Sequence, residues 1–66
     1  MNTSSEKQRP VFEVEASVEI IVGPHAGTIA IVRKIEMMNN MQGWITVELP
    51  DGSQAMYAGE ELRRYR

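Results

Sequence analysis

Cysteine is absent from this chain, and histidine occurs only once. Without cysteine, neither a disulfide nor a thiolate metal site can supplement the core. One histidine among scattered carboxylates makes no metal-ligand cluster, so no metal and no cofactor is expected. No serine stands beside a plausible base, and His25 lies in a turn where local hydrogen bonding is its natural role, so the chain does not read as an enzyme and no catalytic residue is assigned. An apolar run of about 18 residues is also missing, which excludes a membrane-spanning helix. Finally, there is no excess of positive charge: the net charge is −2 and the pI about 5.2. A domain that grips nucleic acid through its phosphates is usually basic overall, so the balance disfavours nucleic acid as a partner without forbidding a local basic patch.

What is present is a small β-rich domain. Its 66 residues allow a single domain with a small core, and the apolar fraction of 42% is too high for a disordered chain. Residues 1–10, "MNTSSEKQRP", read as a flexible polar tail closed by Pro10, with no apolar segment of a secretory signal; a cytoplasmic location is the expectation. The remainder, 11–66, reads as one folded unit. Phe12, Val14, Ala16, Val18, Ile20 and Val22 share one parity, while Glu13, Glu15, Ser17 and Glu19 share the other. That pattern predicts a half-buried strand, long enough to bend or break near Ala16–Ser17, with a solvated carboxylate face that discourages edge pairing.

Gly23-Pro24-His25-Ala26-Gly27 is a turn: Pro24 presets φ, and Gly27 takes positive φ without steric cost. A β-branched run follows it rather than a helix, so these glycines form no phosphate cradle. Thr28–Met37 is apolar on both parities, with Ile29, Ile31 and Ile35 competing against Ala30 and Val32 for the interior. Met38–Gly43 reads as a loop. "WITVEL" alternates again, with Ile45, Val47 and Leu49 inward and Trp44, Thr46 and Glu48 outward. "PDGS" predicts a hairpin turn, Ser53–Ala58 the returning strand, "GEEL" one helical turn and "RRYR" a short closing strand. The expected fold is therefore all-β: a small five-stranded barrel with one short helical turn before the last strand.

Val18, Ile20, Gly23, Pro24, His25, Gly27, Val32 and Ile35 together resemble a KOW motif, the strand-turn-strand unit of ribosomal proteins and NusG-type elongation factors. The later Val47–Gly52 and Glu60–Leu62 segments are similar to the remainder of such SH3-like barrels, so the resemblance spans roughly 16–65. It implies an SH3-like barrel and a binding role toward protein or nucleic acid. The departures bear on the nucleic-acid role. Ala30 stands where a glycine usually opens the second strand, and Ala26 and Thr28 replace turn lysines expected to meet RNA phosphate.

Two candidate surfaces follow. Arg33, Lys34, Arg63, Arg64 and Arg66 are the basic residues outside the tail, and with Tyr57, Trp44 and Tyr65 as stacking surfaces they would form a patch for RNA or DNA. Against that stands scattered solubilising charge. Met37, Met38 and Met41 surround a segment running into Trp44, and with Ile31 they would form an apolar surface suited to a protein partner, or to a second copy in a homodimer. The competing reading makes them a plug for a small barrel with too little core. Protein–protein interaction through the Met/Trp surface is the favoured expectation, and nucleic-acid binding the alternative.

Overall fold

Alternation alone would carry one strand from Phe12 to Val22, but the chain turns at Val14–Glu15, where Glu15 adopts a left-handed φ of 78°. A computed structural model describes residues 11–65; the tail expected over 1–10, and Arg66, lie outside the described residues. The turn is closed by the Ala16 N–H donating to the Glu13 carbonyl (3.1 Å) and the Glu15 N–H donating to the Val32 carbonyl (2.7 Å). Strand β1 is therefore only Ser17–Ile20. Phe12 still reaches the core, but Val14, of the same parity, is exposed. Val14 and Glu15 are the central residues of that turn, so the alternation is interrupted at Val14 and resumes only in β1.

Four further strands follow: β2 (Ile29–Met38), β3 (Met41–Glu48), β4 (Gln54–Ala58) and β5 (Leu62–Arg64), with a 3-10 turn at Gly59–Glu61 before β5. They form one antiparallel sheet in the order β4-β3-β2-β1-β5. The all-β expectation holds at this level, including five strands and a single helical turn before the last, and the strand order is that of a small SH3-like barrel. Of the three glutamates only Glu19 lies in β1, and because β1 lies between β2 and β5 it guards no sheet edge, contrary to the expectation for that carboxylate face.

The core draws on every strand except β4: Val18 and Ile20 from β1, Ala30 and Val32 from β2, Ile45 and Val47 from β3 and Leu62 from β5, with Phe12 and Leu49 from the flanking segments. Ile35 and Tyr57 pack against it. Each fully buried aliphatic contributes about 1.5–3 kcal/mol by leaving water. Ala30, at the position where glycine was expected, is buried and keeps a negative φ, so its methyl group fills core space without strain.

The competition for the interior along β2 is resolved by a bulge. Val32 pairs with Val47 and Lys34 with Thr46, leaving Arg33 as an extra residue. Ala30 and Val32 face inward before the bulge and Ile35 after it, so both parities of the apolar run are used.

The turns follow their residues. Expected as a loop from Met38 to Gly43, the β2–β3 connection is only Asn39–Asn40, with φ of 51° and 65°. Two left-handed residues make the type I′ geometry that matches strand twist, and asparagine tolerates it. At Pro50-Asp51-Gly52, Gly52 has φ 91° and the Leu49 N–H donates to the Ser53 carbonyl (2.8 Å). Ser53 donates to Asp51 Oδ1 from its hydroxyl (2.7 Å) and its N–H (2.9 Å), which holds the Asp51 carboxyl below the usual carboxylate range. In the Gly23–Gly27 turn, Gly27 has φ 92° and the His25 carbonyl accepts from the Thr28 N–H (3.0 Å).

Candidate functional site

Strand pairing assigns each surface side chain to a face, because directly opposed residues in a sheet share one. From the core pair Ile35–Ile45, the neighbouring pair Glu36–Trp44 must face outward. A second bulge then intervenes: Met37 pairs with Gln42, leaving Gly43 as the extra residue. Met37 and Gln42 consequently fall on the inner side, and Met38 and Met41 on the outer side with Trp44. Gln42 reaches under the hairpin to the N-terminal segment. The Phe12 N–H donates to Gln42 Oε1 (3.0 Å) and Gln42 Nε2 donates to the Phe12 carbonyl (2.9 Å). Gly43 leaves room for Met38, whose thioether lies where a Cβ on Gly43 would stand.

On β4, Met56 pairs with Thr46 and Ala58 with Trp44, so both also face outward. The result is an outer apolar face of Met38, Met41, Trp44 and Met56. These four and Met37 are between 42% (Trp44) and 60% (Met37) exposed, which excludes their serving as a buried plug. Of the residues expected to form the protein-binding surface, Met38, Met41 and Trp44 are brought together. Met37 alternates with Glu36 and Met38 along β2 and so falls on the other face. Ile31 is half-buried and pairs with Glu48, four residues along β3 from Trp44 and so about 13 Å away, with Lys34, Thr46 and Glu36 between. Met56 was not legible as a site residue, because only its pairing with β3 sets its parity. A shallow groove on the same face runs from Met56 past Thr46 to Glu36 and Arg33.

The basic residues are distributed differently. Arg33 is the first bulge residue. Its Nη1 donates to both Glu15 oxygens (2.7 and 2.8 Å) and its Nε to Glu48 Oε1 (2.8 Å). The hydrogen bonds to Glu48 and then Glu15 raise its pKa above an already high ordinary value. Lys34 Nζ lies 3.4 Å from Glu36, and Arg63 Nη2 lies 3.1 Å from Glu19. Arg64 pairs with Val18, on the face opposite Arg63, and donates from Nη2 to the Val11 carbonyl (2.9 Å). Arg33, Lys34 and Arg63 are each matched by a carboxylate, and the set is divided between two faces of the sheet; Arg66 lies outside the described residues.

Among the described residues no three His, Cys, Asp or Glu side chains gather as a metal-binding group, and no helix is long and apolar enough to cross a membrane. Neither a family model, a curated protein nor a solved structure matches the chain.

Proposed function

We propose that this domain is a non-catalytic binding module that recognises another protein through the outer face built by Met38, Met41, Trp44 and Met56. The observation that carries the reading is the convergence of these four exposed apolar side chains, from three strands, on one side of the sheet. Methionine adapts to irregular surfaces, and tryptophan concentrates binding energy when a partner excludes water from it. The partner presents a complementary apolar surface. The acidic balance and the pairing of Arg33, Lys34 and Arg63 with carboxylates support a protein partner over nucleic acid. The KOW resemblance is compatible with a protein-binding role, and a cytoplasmic setting belongs to the same proposal.

Trp44 is the only tryptophan and serves as the probe. The chain is titrated with single-stranded RNA and duplex DNA at about 50 and 200 mM salt, and used in parallel to capture protein partners, with Trp44→Ala as control. The reading expects no nucleic-acid binding, and a captured partner whose affinity falls about tenfold or more with Trp44→Ala. Nucleic-acid binding that collapses at the higher salt and is lost in Arg63→Ala would replace it with the basic-patch reading.

A further inference from the structure

The free edge of β4 has a hydrogen-bonding inventory that selects a partner strand. The Leu49 N–H donates to the Ser53 carbonyl, so Ser53, Ala55 and Tyr57 point their backbone groups toward β3. Gln54, Met56 and Ala58 therefore point theirs away from the sheet, on the side where β4 has no neighbouring strand among the described residues. One of these edge groups is already occupied: the Ala58 N–H donates to Glu61 Oε1 (2.9 Å). What remains usable as a pair of complete residues is Gln54 and Met56, each with its N–H and its carbonyl. The strand Gln54-Ala55-Met56-Tyr57-Ala58 carries no charge, no proline and no bulge, the devices that ordinarily block an exposed edge.

We infer that β4 pairs antiparallel with β4 of a second copy of this chain, about a twofold axis at Ala55. In this register Gln54 lies opposite Met56 of the partner and Met56 opposite the partner's Gln54, and each opposed pair exchanges both N–H···O bonds. Four backbone hydrogen bonds form, and every free edge group of Gln54 and Met56 is used. An axis at Met56 is disfavoured, because it would bring the Gln54 carbonyl of one copy to each Ala58 N–H, where the Glu61 carboxylate already sits. A second copy is favoured over an unrelated strand on charge grounds. Pairing an uncharged strand with itself places no like charges together, and neither of its residues bordering the axis offers a charge for a foreign strand to match. Gln54 and Met56 both face outward, so pairing also sets the two Met56 side chains, and behind them the two Trp44 faces, side by side on one continuous sheet. The dimer rests on the β4 edge and not on Met38, Met41 or Trp44, so it and the partner-binding reading fail separately.

The test is sedimentation equilibrium of the full chain from about 1 μM to about 1 mM, a span covering tight and weak self-association. The wild type is compared with two double variants of equal size. Met56→Lys with Gln54→Glu places a glutamate opposite a lysine twice across an axis at Ala55, and is expected to dimerise as well as the wild type or better. Met56→Lys with Gln54→Lys places lysine opposite lysine twice, and is expected to weaken the dimer about tenfold or more. Circular dichroism and Trp44 fluorescence check that both variants remain folded, and Trp44→Ala is expected to leave the dimer intact. A wild type that stays monomeric throughout overturns the inference. So does a dimer that the lysine pair leaves unchanged, or one abolished equally by both variants, as an axis at Met56 would require by setting the two Met56→Lys side chains face to face.

Discussion

The β2–β3 hairpin contains two bulges, one at Arg33 and one at Gly43, and they do opposite things. At the first, the extra residue is a long cation, and it closes onto Glu15 and Glu48, tying β2 to the Val14–Glu15 turn and to β3. The charge is consumed where it stands. At the second, the extra residue has no side chain, so nothing is tied down: Met38 lies over the vacant position, and the change of parity sends Gln42 inward to Phe12 and leaves Met38 and Met41 outside with Trp44. One device, an inserted residue in a ladder, locks a charged region in one case and presents an apolar face in the other. The identity of the inserted residue makes the difference.

The comparison can be broken at three points. Gln42→Ala has the largest expected effect on stability, because it leaves the Phe12 N–H and carbonyl without their partners. A loss of about 2 kcal/mol is expected, read as a fall in Tm of about 10 °C by calorimetry. A change under about 2 °C would mean that the second bulge does not organise the inner side of the hairpin. Gly43→Ala comes next. It forces the Met38 side chain off the hairpin at a cost of about 1 kcal/mol, and adding Met38→Ala should recover most of that loss. Full additivity of the two substitutions in denaturant unfolding would separate Gly43 from Met38.

Arg33→Ala gives the smallest change, since both of its ion pairs are solvent-exposed. Its signature is salt dependence. The wild type should melt higher than the variant at about 0.05 M salt, and the gap should close toward 1 M, where charges are screened within about 3 Å. A salt-independent gap would indicate that Arg33 acts by packing its stem rather than by charge.

Much of the architecture is written in local residue preferences. The alternation of Ile45, Val47 and Leu49, the Pro50–Ser53 turn, the helical turn at Gly59–Glu61 and the closing strand all sit where the residues place them. The strand expected over Phe12–Val22, with a bend or break near Ala16–Ser17, does break, but slightly earlier, at Val14–Glu15. No residue there signals the left-handed Glu15; that conformation accompanies the contacts to Val32 and Arg33, seventeen and eighteen positions away. The Met/Trp surface is half legible. Exposure of Trp44 follows from its alternation with Ile45, but Met37 leaves the group expected for it and Met56 joins unannounced, since each depends on a neighbouring strand.

Local patterning was thus enough to establish that the chain is all-β, where the Gly23–Gly27 and Pro50–Ser53 turns lie and which alternating residues of β3 enter the core, since turn propensity and period-2 alternation act within a few residues. Long-range pairing was needed to settle the face on which Met37, Met38 and Met56 lie, the matching of Arg33, Lys34 and Arg63 with carboxylates, and the open edge of β4. Each of these is a relation between strands: a bulge exists only where two ladders disagree by one residue, an ion pair across the sheet needs a register, and an edge is defined by the neighbour it lacks.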